Sequence, residues 1–185
     1  MSTINVNAID KESGSELVLG GSGTTVKPHA SATVSGFGET NSPSWMAKIG
    51  ASQSLSGSTW TVIEIASEQV DTDSAFDTSA YAFTVPSGKA GIYLVTGGCM
   101  FPNGSDGYHY RLRFTVDGSS AGYTTWGRHE GSGGTQGLAI TAILNLSVGE
   151  VIKMEGYAET AGSIGDSSGD DQERCFFGGF RVAGV

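Results

Sequence analysis

The chain has 185 residues, of which 38% are apolar and 16% charged, enough to bury a core and too little charge for a charge-driven disordered protein. Its formal net charge is −9, with ten Lys and Arg dispersed among nineteen Asp and Glu, which excludes a nucleic-acid footprint built on clustered cations. Twenty-nine glycines without a three-residue period fit many tight turns between short strands, so an all-β protein is expected.

Residues 1–40 differ from the remainder. The start MSTINVNAID lacks a basic stretch followed by an apolar one, so no secretory signal is expected, and no segment has the apolar length that spans a bilayer. Very short β-type pieces follow, Leu17-Val18-Leu19, Thr24-Thr25-Val26 and Ala32-Thr33-Val34, separated by Gly and Ser. None is long enough to form a hairpin with its own core, so the segment reads as an attachment or oligomerisation arm, or as a linker. The boundary falls near Asn41–Pro43, and residues 44–185 form the expected domain.

Strand patterns then recur at the spacing of a sandwich. In Thr59–Ile65, Trp60 and Val62 oppose Thr61, Ile63 and Ile65. Tyr81, Phe83 and Val85 alternate with Ala82 and Thr84 ahead of a Pro86-Ser87-Gly88 corner. Gly91–Phe101 breaks the alternation rule: Ile92, Leu94 and Met100 fall on one side, and Tyr93, Val95, Cys99 and Phe101 on the other. Both faces are apolar, so both call for burial, one in the core and one against a neighbouring subunit. Tyr110, Leu112, Phe114 and Val116 alternate with Arg111, Arg113 and Thr115 and end at an Asp117-Gly118 turn. Leu138, Ile140, Ala142, Leu144 and Leu146 share a face of a long strand, and Ile152 and Met154 alternate with Lys153 and Glu155. The last strand, Cys175–Val182, sets Phe176, Phe180 and Val182 on one side. No window carries a helical period with caps.

These residues resemble the C1q/TNF-like trimeric jelly rolls over most of 44–182. Trp45 through Phe101 looks like the family's opening strands, with the Phe83-x-x-Pro86…Gly91-x-Tyr93 core carrying two extra residues between Pro86 and Ile92-Tyr93. YRLRFTVDGS (110–119) and CFFGGFRV (175–182) are similar to the family's next strand and its terminal one. The resemblance implies a homotrimer meeting along one sheet, with Tyr93, Val95, Phe101 and Phe177 as core or interface residues. It also sets the Gly91–Phe101 strand beside the C-terminal one, which brings Cys99 near Cys175. A bridge between them is geometrically open, and a protein assembled in a reducing cytoplasm is expected to keep them as unbridged neighbours.

A second resemblance covers about the first forty residues. MSTINVNAI…GSGTTV and SATVSGFG are similar to the openings of structural proteins of tailed bacteriophages. Together the two imply a virion protein assembled in the bacterial cytoplasm, held to other virion proteins by residues 1–40. It would serve as a fibre or spike head binding a host-surface glycan or protein, or as a capsid decoration (cement) protein. A carbohydrate-active virion enzyme is the more distant alternative.

Candidate binding residues lie in two segments. YTTWGRHE (123–130) places Trp126, Arg128 and His129 together, and NGSDGYH (103–109) supplies Asn103, Tyr108 and His109. Aromatic and polar residues on exposed loops suit glycan or protein recognition, against the alternative of a partly buried indole with ordinary surface polars around it. Arg111 and Arg113 line one strand face, where they can meet acidic glycans or simply solvent. The acidic loop 166–171 is either solvated or a calcium site of non-EF-hand spacing. His29, His109 and His129 are isolated, so no metal and no cofactor is assigned. No nucleophile elbow, zinc-hydrolase motif or P-loop occurs, so no catalytic residue is assigned and the protein is expected not to be an enzyme. Neither nucleic acid nor membrane is an expected partner.

Overall fold

The computed structural model describes residues 42–104, 106–131, 133–165 and 175–184, with 102–104 as backbone only. The expected arm 1–40 and the acidic loop 166–171 lie outside the described residues. Thirteen strands occur among them: β1 Ser44–Lys48, β2 Gln53–Leu55, β3 Thr59–Val62, β4 Ser67–Asp71, β5 Phe76–Asp77, β6 Ala82–Thr84 and β7 Gly91–Gly104. They continue as β8 His109–Val116, β9 Ser119–Arg128, β10 Gly134–Leu146, β11 Val151–Ala158, β12 Gly162–Ile164 and β13 Phe176–Gly184. The described fold is all-β, as the patterning implied.

Two five-stranded antiparallel sheets face one another, in the orders β10-β7-β13-β1-β4 and β5-β6-β11-β8-β9, with β2 and β12 forming a two-stranded flap. Apart from the β5–β6 and β8–β9 pairs, strands consecutive in sequence are split between the sheets, as in a jelly roll. Between the sheets Trp45 stacks on Phe83 with ring centroids 3.7 Å apart, and Phe177 meets the indole edge-on at 5.8 Å. Gly179 on β13 makes this approach possible, because a Cβ there would lie 2.6 Å from both the Trp45 ring and the Leu94 carbonyl oxygen. Tyr93, Val95, Phe101, Leu112, Phe114, Ile152 and Met154 complete a close-packed interior of the kind that dominates domain stability.

The two faces of β7 part as the sequence demanded. Tyr93, Val95 and Phe101, together with Phe177 of β13, are all buried in the sandwich core, so the outward surface of β7 is the opposite one. There the register aligns Ile143 of β10, Leu94 of β7 and Phe180 of β13 in one cross-strand row, with Ile143 63% and Phe180 41% exposed. The next row runs Thr141, Thr96, Gly178, Met46 and Val70, with Thr96 and Thr141 hydroxyls 3.1 Å apart.

Two sequence expectations change, and one strand appears that the patterning did not mark. Tyr81 leaves the strand: its φ is +55°, and it follows a turn in which Asp77 accepts hydrogen bonds from the Ser79 and Ala80 amides, so β6 begins at Ala82. The stretch 123–128 is not a loop but the end of β9, paired along β8 from His109↔Arg128 to Val116↔Ser119. Asp117 and Gly118 join these strands with φ of +48° and +77°, the paired positive values of a tight hairpin turn. Strand β4, which carries Val70, had no apolar alternation to mark it.

Candidate functional site

The second sheet turns its outward face to solvent through β11, β8 and β9. Strand alternation sends Tyr110, Leu112 and Phe114 of β8 inward and His109, Arg111 and Arg113 outward. The register then builds three rows. Tyr157, Arg111 and Trp126 form one; Glu155, Arg113 and Thr124 form the next. On the other side His109 is paired with Arg128, and Glu159 reaches it from just beyond β11.

Charges on this face are matched unequally. Arg113 directs Nε and Nη2 onto one oxygen of Glu155 at 2.7 and 2.6 Å, while its guanidinium lies 4.1 Å above the Trp60 ring. The Glu159 carboxylate accepts from the His109 amide at 2.9 Å and lies 3.0 Å from its Nδ1. Those hydrogen bonds, the backbone one first, hold the Glu159 carboxyl below the usual carboxylate range. Arg111 rests 5.1 Å above the Tyr157 ring and makes no ion pair with any described residue. Trp126 is 64% exposed, and its indole meets the His109 ring edge-on at 5.6 Å. His109, Arg111, Thr124 and Trp126 line a solvent-open groove of about 330 Å³.

The expected binding residues therefore separate. Trp126, Arg128 and His109 share the outward face, with Arg111 and Arg113 between them. His129 turns inward: it is buried, its Nδ1 lies 2.7 Å from the Gly131 carbonyl oxygen, and its amide donates to the Tyr108 carbonyl at 2.9 Å. It steps out of the site because the strand ends there and the chain must turn over Gly131. Arg128 is tied to the same turn through Nε on the Gly107 carbonyl at 3.2 Å. Tyr108 is exposed in that turn, away from the groove lining, and the Asn103 side chain lies outside the described residues. Tyr157, Glu159 and Thr124 belong to the face because the β8–β11 and β8–β9 pairings set them beside the arginines, and Trp60 of β3 joins it by packing on Tyr157 and Arg113; none of this is visible in the sequence alone.

A second hollow of about 340 Å³ near Asp73, Phe76 and Pro86 offers neither a cation nor an exposed indole. Among the described residues no group of three or more His, Cys, Asp or Glu is placed to hold a metal ion. Cys99 and Cys175 are buried neighbours with sulfurs 2.7 Å apart.

No protein-family model matches the chain, and no curated protein matches it. Solved structures do. The globular domain of zebrafish complement 1qA protein is similar with a TM-score of 0.58 at 14% identity, over 77% of this chain and 98% of that one. The Eiger TNF from S. frugiperda is similar with a TM-score of 0.56 at 12% identity, over 77% of this chain and 93% of that one. At these identities the likeness is one of fold: the chain is an all-β jelly roll of the C1q/TNF-like kind.

Proposed function

We propose that the protein is a non-enzymatic surface protein of a tailed-phage virion, a homotrimer whose residues 1–40 attach it to other virion proteins and whose jelly-roll heads bind the host surface. The observation that carries the assembly is the apolar outward face of the first sheet. Ile143, Leu94 and Phe180 stand side by side across three strands, flanked by the exposed Val182 and Val70. A monomer gains nothing by presenting such a row to water, whereas each apolar 100 Å² removed contributes roughly 2.5 kcal/mol before association costs. Further copies of the same chain are the fitting cover, given a fold of the C1q/TNF-like kind, a family of trimeric jelly rolls. The virion setting is supported by the likeness of the N-terminal segment to tailed-phage structural proteins, and host binding by the exposed Trp126–Arg111 face.

Light scattering on the purified protein tests the assembly: three chains per particle are expected, and a monomer at micromolar concentration sinks it. Imaging of intact particles tests the setting. A tail or spike position is expected, while a position bridging capsomers on the head makes the protein a decoration factor instead. Purified protein is expected to adsorb to host cells and reduce infection.

A further inference from the structure

The outward face of the second sheet carries a more specific chemistry than general stickiness. Two cation–aromatic pairs and one edge-on ring pair lie along it: Arg113 over Trp60, Arg111 over Tyr157, and Trp126 against His109. Arg113 has its own carboxylate in Glu155, and the His109 ring and amide hold Glu159. Arg111 makes no ion pair with a described residue, although the Glu159 carboxylate feels its charge, and its guanidinium is the permanent cation of the groove lining. A guanidinium set over one ring and without an ion pair keeps N–H groups to offer, and their planar fork matches the two oxygens of a carboxylate. Beside it the Trp126 indole is too exposed to serve the core and is steadied from behind by the His109 ring. An exposed, braced indole is a platform for a flat apolar surface of modest size. The Thr124 hydroxyl, on the strand beside Arg113, adds a neutral donor and acceptor within the lining.

We propose that the groove between Arg111 and Trp126 binds a saccharide bearing a carboxylate, a uronic-acid residue being the simplest case. Its carboxylate pairs with the Arg111 guanidinium, and its C–H face lies on the Trp126 indole. The volume of about 330 Å³ suits one or two sugar rings rather than a protein loop. The groove lining offers one permanent cation, too few for the closely spaced phosphates of nucleic acid, and the chain carries a net −9. A single carboxylate answers that cation. A neutral sugar leaves the guanidinium facing solvent and draws only on the indole. The proposal rests on the reading of the domain as a surface-binding head and narrows it to a ligand class.

Calorimetric titration of the full chain with tri-galacturonic acid, and with its fully methyl-esterified form, reads the proposal directly. The acid is expected to bind at least tenfold more tightly than the ester, and Arg111→Gln is expected to erase that difference. Trp126→Ala should weaken both forms, whereas Arg113→Gln, outside the groove lining, should change the acid's affinity less than twofold. The Arg111 side chain is exposed and hydrogen-bonds no backbone group among the described residues, so the melting temperature of Arg111→Gln is the control for folding. Equal binding of acid and ester, unaltered binding by Arg111→Gln, or no binding of either form overturns the proposal. Adsorption to host cells is measured alongside. Adsorption that persists in Arg111→Gln removes the groove and leaves the surface-binding head standing, while acid binding without adsorption does the reverse.

Discussion

The sulfur of Cys99, on β7, lies 2.7 Å from that of Cys175, one residue ahead of β13, with both side chains buried. The Met100 amide points onto the Cys175 sulfur at 3.4 Å. Burial, reinforced by the Cys175 contact, pushes the Cys99 thiol well above its ordinary value of 9.0. Folding thus favours the protonated thiol. Its contribution is complete below pH 9.0 and is lost as pH climbs toward the raised value. Tyr93 acts in the same sense: burial pushes its hydroxyl up to about 12, with Arg181 opposing and Asp73 adding to the rise. Expected outcomes are no thiol reactivity in the native protein, two reactive thiols after denaturation without reductant, and a melting temperature that declines above pH 9. Denatured, unreduced protein with no reactive thiol would instead identify a bridge.

Gly179 is a second point of tight tolerance. Its missing Cβ leaves room for the Trp45 ring on one side, and the Leu94 carbonyl of the neighbouring strand stands at the same 2.6 Å. A carbonyl within a sheet ladder cannot swing aside as a side-chain tip can. Gly179→Ala is therefore expected to destabilise the domain by about 1–3 kcal/mol through overpacking. Denaturant unfolding followed by tryptophan fluorescence reads this, and an unchanged midpoint would show that β13 shifts to accept the methyl.

Much of this arrangement was legible in the chain itself, for a reason that differs by element. Strands with one apolar face, such as β8 with Tyr110, Leu112 and Phe114, announce both their type and their inward side through a period of two. β7 announced more, since its two apolar faces mark a strand whose outward side is apolar as well as its core side. β9 announced almost nothing: Ser119–Arg128 is rich in Ser, Thr and Gly, and its inward positions are Ala121, Thr125 and Gly127. It is a strand because β8 offers it a backbone ladder on both sides of a bulge, His109–Arg113 against Thr124–Arg128 and Thr115–Val116 against Ser119–Ser120. The groove was half visible for the same cause. Trp126 and Arg111 are each conspicuous, yet their adjacency is a property of register. His129 looked equivalent to Trp126 in the chain, and only the turn beyond β9 buries it.

The His109–Glu159 pair sets a lower pH limit on the groove. Glu159 is held below its ordinary value of 4.5 by the His109 amide and ring, so the contact is intact above pH 4.5 and is lost as pH falls through the lowered value. Releasing the His109 ring frees the edge against which Trp126 packs. The Trp126 indole N–H resonance is expected to move in a single acid step below pH 4.5, and Glu159→Gln is expected to remove that step. An identical step in Glu159→Gln would assign the change to another carboxylate.

The row Ile143–Leu94–Phe180 gives the assembly its sharpest test. Leu94 is the middle of the row, flanked by both partners through direct register, and its side chain points away from the core that Tyr93 and Val95 occupy. A charge placed there meets water in an isolated subunit and costs the fold little, since β7 keeps both of its ladders. In a trimer closed over this face the same charge is desolvated without a partner, a penalty of several kcal/mol at each of three equivalent positions. Leu94→Glu is therefore expected to retain the far-ultraviolet circular dichroism of the native chain while light scattering falls to the mass of one subunit. Val95→Glu, one residue along and facing inward, is expected to lose the fold altogether. Should Leu94→Glu remain trimeric, the outward face of the first sheet is not the interface, and the subunits meet elsewhere.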